Sequence, residues 1–439
     1  MSDLQTIAEL LEQQRTGATT AEALVADRLA RIATDTAVRP MVEVDADGAL
    51  ATARRLDALR ASGAPRGPLH GVPVTVKSSF AVAGLHASVG TEESRVFAER
   101  DAPAVARLRA AGAVILGTTA VPPLLDGFHA DTPLSGRTAN PWDPARTPGG
   151  SSGGAAAAVA ADFSSGDLGS DLFGSIRVPA AFCGVAAHRP SQGALSKRAH
   201  LPWPLETLIE PPLSTSGPLA RSVADVERLF EVLLRTAPEA TTVAPRTITG
   251  LRGLRVGVWR DEPGAECDPE VDAVLDGFLT AVEALGCELV PIAGTVLGRP
   301  ESAALFDRLV AHEIGFGGTG STPLVDAWAD WDAQRRVRAE WAAEVAHVDV
   351  VLAPAVPVVA PLHGAVQADV ALTARITRWS AMTNLAAVPC TVLPIGLNPE
   401  HGMPVAVQVI APFAQDRDAL AVARLLQDAG VAPPLAPAG

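Results

Sequence analysis

Hydrophobic positions in the N-terminal quarter of the chain recur first with a helical period and then in a short apolar run. Residues 4–33 predict two amphipathic helices separated near Gly17, because Leu, Ile, Ala and Val return to one face. A further helix is predicted with Asp101 as its cap and Gly112 at its end. The apolar run 113–117 follows directly and predicts a buried strand.

The same succession of elements returns in the second half of the chain. Residues 254–259 predict a strand, a helix is expected from Asp268 to Gly286, and residues 287–292 predict the next strand. Strands that alternate with helices favour parallel pairing, with the connecting helices packed on the sheet. The sequence therefore predicts an α/β fold with a mostly parallel or mixed central sheet and helices on both faces.

Domain boundaries are not marked by any convincing linker. We predict a single domain over residues 1–439, with the helices of residues 4–33 packed on it. The segment of about 290–345 is expected to be less regular, and the tail 431–439 is expected to be frayed.

Composition excludes several classes of function. The chain has 439 residues, of which 49 are acidic and 35 are Lys or Arg, giving a net charge of −14. An acidic chain without a basic run has no electrostatic attraction for nucleic acid or for an anionic membrane. Its hydrophobic content of 48% excludes extensive disorder. No apolar run approaches the roughly 18 residues that span a bilayer, and the N-terminus lacks a signal-like pattern, so a cytoplasmic protein is expected.

Cysteine usage indicates a reduced protein without a metal site. The four cysteines are far apart and show neither Cys-x-x-Cys nor Cys/His ligand spacing. We expect buried thiols at Cys183, Cys267, Cys287 and Cys390.

Lysine is rare in this chain, and one lysine ends an apolar strand. Lys77 and Lys197 are the only lysines among the 35 Lys and Arg residues. Lys77 is the last residue of the segment 71–77, in which valines alternate. A desolvated lysine can lose its proton and act as a base, whereas arginine stays protonated. The other interpretation is a lysine that extends from the strand end into solvent.

A glycine- and serine-rich run at 148–154 precedes a predicted alanine-rich helix. It lacks the Gly-Lys-Ser/Thr of a phosphate-binding loop, and the helix behind it argues against a flexible linker. The spacing of Gly149, Ser151 and Gly153 fits a nucleophile elbow. That elbow needs a preceding strand, which the two prolines in residues 140–147 disfavour.

A second serine lies in the predicted turn of residues 169–179. Ser175 follows Gly174, with Asp171 and Arg177 on either side. A turn of this kind can direct several backbone N–H groups at an anionic tetrahedral intermediate. The alternative is an ordinary turn stabilised by an Asp171–Arg177 ion pair.

Together these segments resemble the amidase signature family. The matches are residues 71–77, 136–154 and 169–185, with weaker similarity at 100–119 and 383–412. The resemblance implies the amidase signature fold and hydrolysis of a small-molecule carboxamide to a carboxylic acid plus ammonia or an amine. It also implies that no metal or organic cofactor takes part, and it makes a homodimer an expectation.

The resemblance also assigns roles to individual residues. Ser175 matches the nucleophile, Ser151 the bridging serine that follows a cis peptide bond at Gly150, and Lys77 the base. The implied oxyanion hole consists of the backbone amides of Leu172, Phe173, Gly174 and Ser175. The expected supports of the two loops are Asp171, Arg177, Gly150 and Ser152.

One departure from the family pattern bears directly on the site. Phe173 stands where the family usually has a glycine, so its side chain either excludes a positive φ or fills space beside the oxyanion hole. We interpret it as part of the acyl pocket. The apolar candidates Phe128, Phe173, Trp203 and Trp379 are compatible with an aryl or alkyl amide.

Three alternatives stay open from the sequence. The first is a histidine-dependent hydrolase that pairs Ser151 with an acid and one of His188, His200, His312 or His363. The second is an amidotransferase component that liberates ammonia from glutamine, disfavoured by the absence of tyrosine from this chain. The third is a binding protein on a decayed amidase scaffold, suggested by Phe173 and Ala120.

Overall fold

An eleven-stranded sheet runs through the part of the chain that the computed structural model describes, residues 5–64, 66–234, 240–315 and 323–437. Its strands lie in the order β1-β5-β2-β6-β8-β7-β12-β13-β11-β9-β10, and β3 and β4 pair separately. The strands are β1 (Met41–Val44), β2 (Pro73–Lys77), β3 (His86–Ala87), β4 (Val96–Phe97), β5 (Val114–Thr119), β6 (Gly166–Asp171), β7 (Ala186–Arg189), β8 (Thr215–Ala220), β9 (Arg255–Val258), β10 (Glu288–Pro291), β11 (Val350–Pro354), β12 (Cys390–Leu397) and β13 (Pro404–Ile410).

Helices flank this sheet, and a 3₁₀ turn covers Pro123–Leu125. The helices are α1 (Ile7–Thr16), α2 (Ala21–Thr34), α3 (Ala46–Ala61), α4 (Pro103–Ala110), α5 (Gly153–Ala160), α6 (Arg177–Cys183), α7 (Val223–Leu233), α8 (Pro269–Ala284), α9 (Thr295–Gly298), α10 (Pro300–Gly315), α11 (Leu324–Glu344), α12 (Ala365–Ala368), α13 (Val370–Leu385) and α14 (Asp416–Asp428).

The predicted α/β class and mixed sheet are confirmed. Parallel pairing joins β5, β2 and β6 at one side of the sheet and β10, β9 and β11 at the other. These are the regions whose strand–helix–strand pattern is visible in the sequence. The central strands pair antiparallel, β6 with β8, β8 with β7, and β7 with β12, and β12 and β13 form a hairpin. The helical connections therefore account for only part of the topology.

The two N-terminal helices pack against the sheet. A capping box of Thr6 and Glu9 starts α1, and Gly17, with φ 80°, ends it. The first turn of α1 is tied to α7, because the Ile7 amide donates to Asp225 Oδ1 at 2.9 Å. Val25 of α2 lies in an apolar cluster with residues of β5.

The segment 290–345 is not irregular, contrary to the expectation from its sequence. Where it is described, it forms mainly α9, α10 and α11. Leu305 and Leu309 share one face of α10, and Val337 and Trp341 share one face of α11, and these four enter one buried cluster. Many charged residues elsewhere on both helices obscure this spacing in the sequence.

Smaller differences concern the ends of elements. The cap of α4 is Ala102 and not Asp101, since Asp101 instead accepts the Ala83 amide and pairs with Arg109. Residues 431–437 have no helix or strand, and the last two residues lie outside the described part. No helix among the described residues is long and apolar enough to cross a membrane. All four cysteines are free thiols.

Candidate active site

Lys77 lies at the carboxyl end of β2 and is completely buried. Its Nζ donates to Ser151 Oγ at 2.7 Å and to Ser170 Oγ at 3.0 Å. Burial lowers the pKa of Lys77 to about 7, and the charge of Lys197 acts in the same direction. The lysine therefore does not extend to solvent, and a large fraction of it is neutral near neutral pH.

The glycine-rich loop places Ser151 against this amine. The peptide bond between Gly150 and Ser151 is cis. A Cβ on Gly150 would lie 2.2 Å from the carbonyl oxygen of His129, so only glycine fits there. Ser152 holds the loop to β6, because its Oγ donates to the Ser170 carbonyl at 3.3 Å. Residues 140–147 form no regular strand, which removes the context that a nucleophile elbow requires.

Ser175 lies in the tight turn between β6 and α6. The Ser152 amide donates to the Ser175 carbonyl at 3.1 Å, which joins this turn to the Ser151 loop. Gly174 has a φ of 102°, and a Cβ there would lie 2.3 Å from Ser380 Oγ. Among the described residues no hydrogen bond joins the Ser151 and Ser175 hydroxyls. The backbone contact between Ser152 and Ser175 thus brings the two loops together, and no hydrogen bond in the described part of the chain joins the Ser175 hydroxyl to Ser151 or Lys77.

A buried ion pair fixes the start and end of this turn. Arg177 donates to both Asp171 carboxylate oxygens, from Nε at 3.0 Å and from Nη2 at 2.9 Å. Burial alone would raise the pKa of Asp171, but the Arg177 guanidinium holds it well below its usual range. The same guanidinium reaches the C-terminal part of the chain, where it bonds Thr383 at 2.5 Å and Asn384 at 2.6 Å. The predicted Asp171–Arg177 pair is therefore present and has additional partners.

Replacing Arg177 with methionine is expected to destabilise the protein by about 3–5 kcal/mol, because the change leaves the buried Asp171 carboxylate without its charge partner. Urea unfolding followed by circular dichroism measures this free energy. The charge-conserving Arg177→Lys variant should recover part of the loss. A methionine variant as stable as the wild type would show that Asp171 is neutral in the folded protein.

The predicted oxyanion hole needs one correction. The Gly174 amide donates to Asp171 Oδ1 at 2.9 Å and is therefore already engaged. Leu172, Phe173 and Ser175 keep their amides as candidates. Phe173 does not adopt a positive φ. Its ring packs edge-to-face on Phe306 of α10, with centroids 5.5 Å apart, so this side chain fills space beside the turn.

Sequence reasoning missed a second layer of residues behind Lys77. Ser170, on β6, lies between Lys77 and His200, whose Nε2 is 2.8 Å from Ser170 Oγ and 2.9 Å from Ser79 Oγ. Burial, together with the charges of Lys197 and Lys77, lowers the pKa of His200 well below its usual value, so the ring is neutral. Lys197 itself is buried and pairs with Glu313 at 3.4 Å. The rarity of lysine pointed to Lys197, and His200 was named in the sequence only as a possible partner of Ser151, so no sequence signal pointed to Ser170.

The histidines named in the sequence do not serve Ser151. Its described side-chain partner is Lys77. His188 bonds Asp416 and Thr391, and His312 bonds Asp330. His363 lies on a loop, where its amide donates to the Ala145 carbonyl at 3.1 Å. His200 belongs to the layer around Lys77, and Ser170 and Lys77 lie between it and Ser151 in the chain of hydrogen bonds.

Metal-ligand geometry is absent around Lys77 among the described residues. In the described part of the chain, one group of side chains has donor atoms close enough together to share a metal ion. These side chains are mostly exposed and lie on other elements: Glu270, Glu400 and His401. The site can thus be assigned chemistry from its own amine and hydroxyl groups.

Comparisons with known proteins show which family and which solved structures this chain is similar to. The family model described as Amidase matches residues 23–315 and 325–420. A glutamyl-tRNA(Gln) amidotransferase subunit from Oleidesulfovibrio alaskensis is 32% identical, over 96% of each chain. A crystal structure of an amidase is 28% identical with a TM-score of 0.79, covering 97% of this chain and 99% of the other. A 6-aminohexanoate cyclic dimer hydrolase solved with its substrate is 26% identical with a TM-score of 0.81, covering 98% of both.

Proposed function

The chain belongs to the amidase family, and from that premise we propose that Lys77, Ser151 and Ser175 are the base, the relay and the nucleophile of its reaction. It is a hydrolase of carbon–nitrogen bonds in amides, and its product pair is a carboxylic acid with ammonia or an amine. No histidine and no metal enters the proposed mechanism.

The observation that carries the proposal is the contact between a buried amine and a serine hydroxyl. Lys77 Nζ and Ser151 Oγ are 2.7 Å apart, and the lysine has a pKa of about 7. A neutral amine can accept a proton, and a hydroxyl can donate one proton while it accepts another. Ser151 can therefore pass a proton from Ser175 to Lys77.

The proposed acylation step begins when Ser175 Oγ attacks the amide carbon. Its proton moves to Ser151, whose own proton moves to Lys77 Nζ, and a tetrahedral intermediate with one negative oxygen results. The amides of Leu172, Phe173 and Ser175 are the candidate donors to this oxygen. The contact between Ser151 and Ser175 would close in the substrate complex, since catalytic hydrogen bonds often tighten on binding.

The second half of the reaction uses the same proton path through Ser151 and Lys77, first to return a proton and then to accept one. As the carbon–nitrogen bond breaks, the proton on Lys77 returns through Ser151 to the leaving nitrogen, and ammonia or an amine departs. Water then attacks the acyl-Ser175 ester and gives its proton to the same relay. The bond between the acyl carbon and Ser175 Oγ then breaks, and the proton on Lys77 returns through Ser151 to Ser175 Oγ. The carboxylic acid leaves, and Lys77 is neutral again.

The experiment that tests the proposed function combines a mixed amide library with water enriched in ¹⁸O. Mass spectrometry should find a carboxylic acid that carries one ¹⁸O atom, with a matching release of ammonia or amine. A protein that hydrolyses no amide and does not react with a fluorophosphonate probe would favour the binding-protein alternative.

Ser170 is expected to orient the amine of Lys77, because it receives one of the amine's hydrogen bonds and leaves the lone pair for Ser151. Ser170→Ala should lower kcat about 10- to 100-fold with little change in KM, in line with the loss of a positioning contact. Its pH–rate profile should shift, because a partner of Lys77 is lost. The control is Ser79→Ala, which touches His200 but not Lys77 and should stay within about twofold of the wild type.

The amidotransferase alternative gains support from the curated relatives, several of which are named as subunits of glutamyl-tRNA(Gln) amidotransferase. On this proposal the substrate is glutamine and the ammonia passes to a partner protein. Purification of the tagged protein from its native cells, followed by a glutaminase assay of the eluate, distinguishes the amidase from the amidotransferase component. Copurified partner proteins and glutaminase activity would favour the amidotransferase. The cytoplasmic location and the homodimer stay predictions.

A further inference from the structure

A cavity of about 500 Å³ lies beside the Lys197–His200 segment and is not lined by the proposed triad. Its wall includes three tryptophans and two arginines, and its acidic groups are Glu210, Glu313 and Asp332. The side chains that matter for its chemistry are Trp203, Trp328, Trp331, Arg335, Arg338 and Glu313.

Helix α11 supplies one wall as a single stripe. Trp328, Trp331, Arg335 and Arg338 recur at helical spacing, so the apolar part of the stripe lies toward the N-terminus and the cationic part toward the C-terminus. The Trp328 residue is 65% exposed and its ring centroid is 6.2 Å from that of Trp331. Tryptophans left open to solvent beside a cavity indicate a binding surface.

The acidic groups on the facing wall already have partners within the protein. Glu313 pairs with Lys197 at 3.4 Å and also accepts the amides of Leu213 and Ser214, each at 3.1 Å. Glu210 accepts the Lys197 amide at 2.7 Å. These two carboxylates therefore hold the Lys197 segment in place, and the third acidic residue of the lining, Asp332 of α11, is paired with Arg336.

The cationic groups are not neutralised in the same way. Arg335 has no ion pair within the described ranges. Arg338 lies over the ring of Phe413, 3.4 Å from its centroid. Burial and the neighbouring Arg335 charge lower the pKa of Arg338 to about 10, which leaves it protonated at neutral pH. One end of the cavity thus carries two positive charges without a carboxylate partner, and Arg guanidinium groups bind carboxylates well.

Two series of contacts connect the cavity wall to the catalytic loops. The Trp203 amide donates to the His200 carbonyl at 2.6 Å, and the His200 ring touches Ser170, the partner of Lys77. On the other side, Gln334 Nε2 approaches the Leu385 carbonyl at 3.4 Å. Asn384, which precedes Leu385 in the chain, donates to the Leu172 carbonyl at 2.6 Å. Short chains of hydrogen bonds therefore join the cavity wall to Ser170, the partner of Lys77, and to the start of the Ser175 turn.

We propose that this cavity binds the non-reacting end of the substrate, an aromatic group that carries a carboxylate. The ring stacks between Trp203 and the two tryptophans of α11, and the carboxylate pairs with Arg335. This inference rests on the proposed amide hydrolysis, and it names the class of amide: one with a flat apolar body and an acidic group remote from the scissile bond.

Binding is measured by titration calorimetry on the Ser175→Ala protein, so that no turnover occurs. The probe is the monoamide of 1,4-phenylenediacetic acid, which has an aromatic ring, a carboxylate and a primary amide. Phenylacetamide lacks the carboxylate, and the monoamide of adipic acid lacks the ring. The probe is expected to bind at least about tenfold more tightly than either of these.

Variants of the cavity locate the binding. Arg335→Ala should weaken binding of the probe at least about tenfold and leave phenylacetamide within about twofold, whereas Trp328→Ala should weaken both. Arg55→Ala, which removes an exposed arginine of α3, is the matched control and should change neither. In the enzyme with Ser175 intact, the same two cavity variants should raise KM for the probe.

Contrary outcomes separate this inference from the proposed function. A probe that binds no better than phenylacetamide, or binding and KM unchanged in both cavity variants, overturns the cavity assignment even if amides are hydrolysed. Binding that depends on Arg335, in an enzyme that hydrolyses no amide, supports the site and contradicts the proposed function.

Discussion

Ser175→Ala is expected to lower kcat/KM for amide hydrolysis by at least about 10⁴-fold, because no acyl-enzyme can form without the Ser175 hydroxyl. The contacts that fix this turn are made by its backbone and by Asp171, so alanine should fit without rearrangement. Initial rates of product formation, measured with the best amide of the library, give the ratio directly.

Two measurements distinguish lost chemistry from lost structure. The melting temperature of Ser175→Ala should match that of the wild type within a few degrees, and a fluorophosphonate probe should label the wild type but not the variant. The Ser151→Ala variant is expected to be impaired as well and to keep weak labelling, since its nucleophile is intact. Undiminished hydrolysis by Ser175→Ala would refute the assignment of the nucleophile.

Lys77→Met is expected to lower kcat by at least about 10³-fold, because methionine fills a similar volume but accepts no proton. Activity is measured as for Ser175→Ala. The pH dependence of the free energy of unfolding also distinguishes Lys77→Met from the wild type. In the wild type the unfolded chain holds a proton on this lysine up to about pH 10.5 while the folded protein releases it near 7, so between these values the wild type gains stability as the pH rises. The methionine variant should lack this slope and be at least as stable at neutral pH.

The pH dependence of the wild-type enzyme has a definite sign. Lys77 acts as a base only when it is neutral, so kcat/KM should rise with pH through about 7 and then level off. Lys77→Arg should be inactive at every pH, because its guanidinium stays protonated. A rate that falls as the pH rises through 7 would mean that the protonated form is the active one.

How far the sequence predicts this site depends on the range of each contact. The loop of Ser151 and the turn of Ser175 could be predicted, because glycines and small residues at fixed spacing are required where backbones approach closely. The engagement of the Gly174 amide by Asp171 could not, since it depends on how the turn closes. Ser170 was missed, and His200 was given a different partner, Ser151, because Ser170 and His200 meet only when a distant loop folds over the end of β2.

The fold shows the same division between local and distant information. The parallel regions around β2 and β9 follow from the strand–helix–strand spacing in the chain. The antiparallel pairing of β6 with β8 and of β7 with β12 joins segments whose order in the sheet no local pattern fixes. Helices α10 and α11 were missed for a further reason, because the many charged residues elsewhere on both helices obscure the spacing of their apolar faces.

The reach of Arg177 across the chain has a consequence for synthesis on the ribosome. This guanidinium bonds Thr383, Asn384 and Gln408, which lie 206, 207 and 231 residues further along. A growing polypeptide that already contains every proposed catalytic residue still lacks the clamp that shapes their turn. Hydrolytic competence should accordingly arise only after residue 408 has been synthesised, long after Ser175.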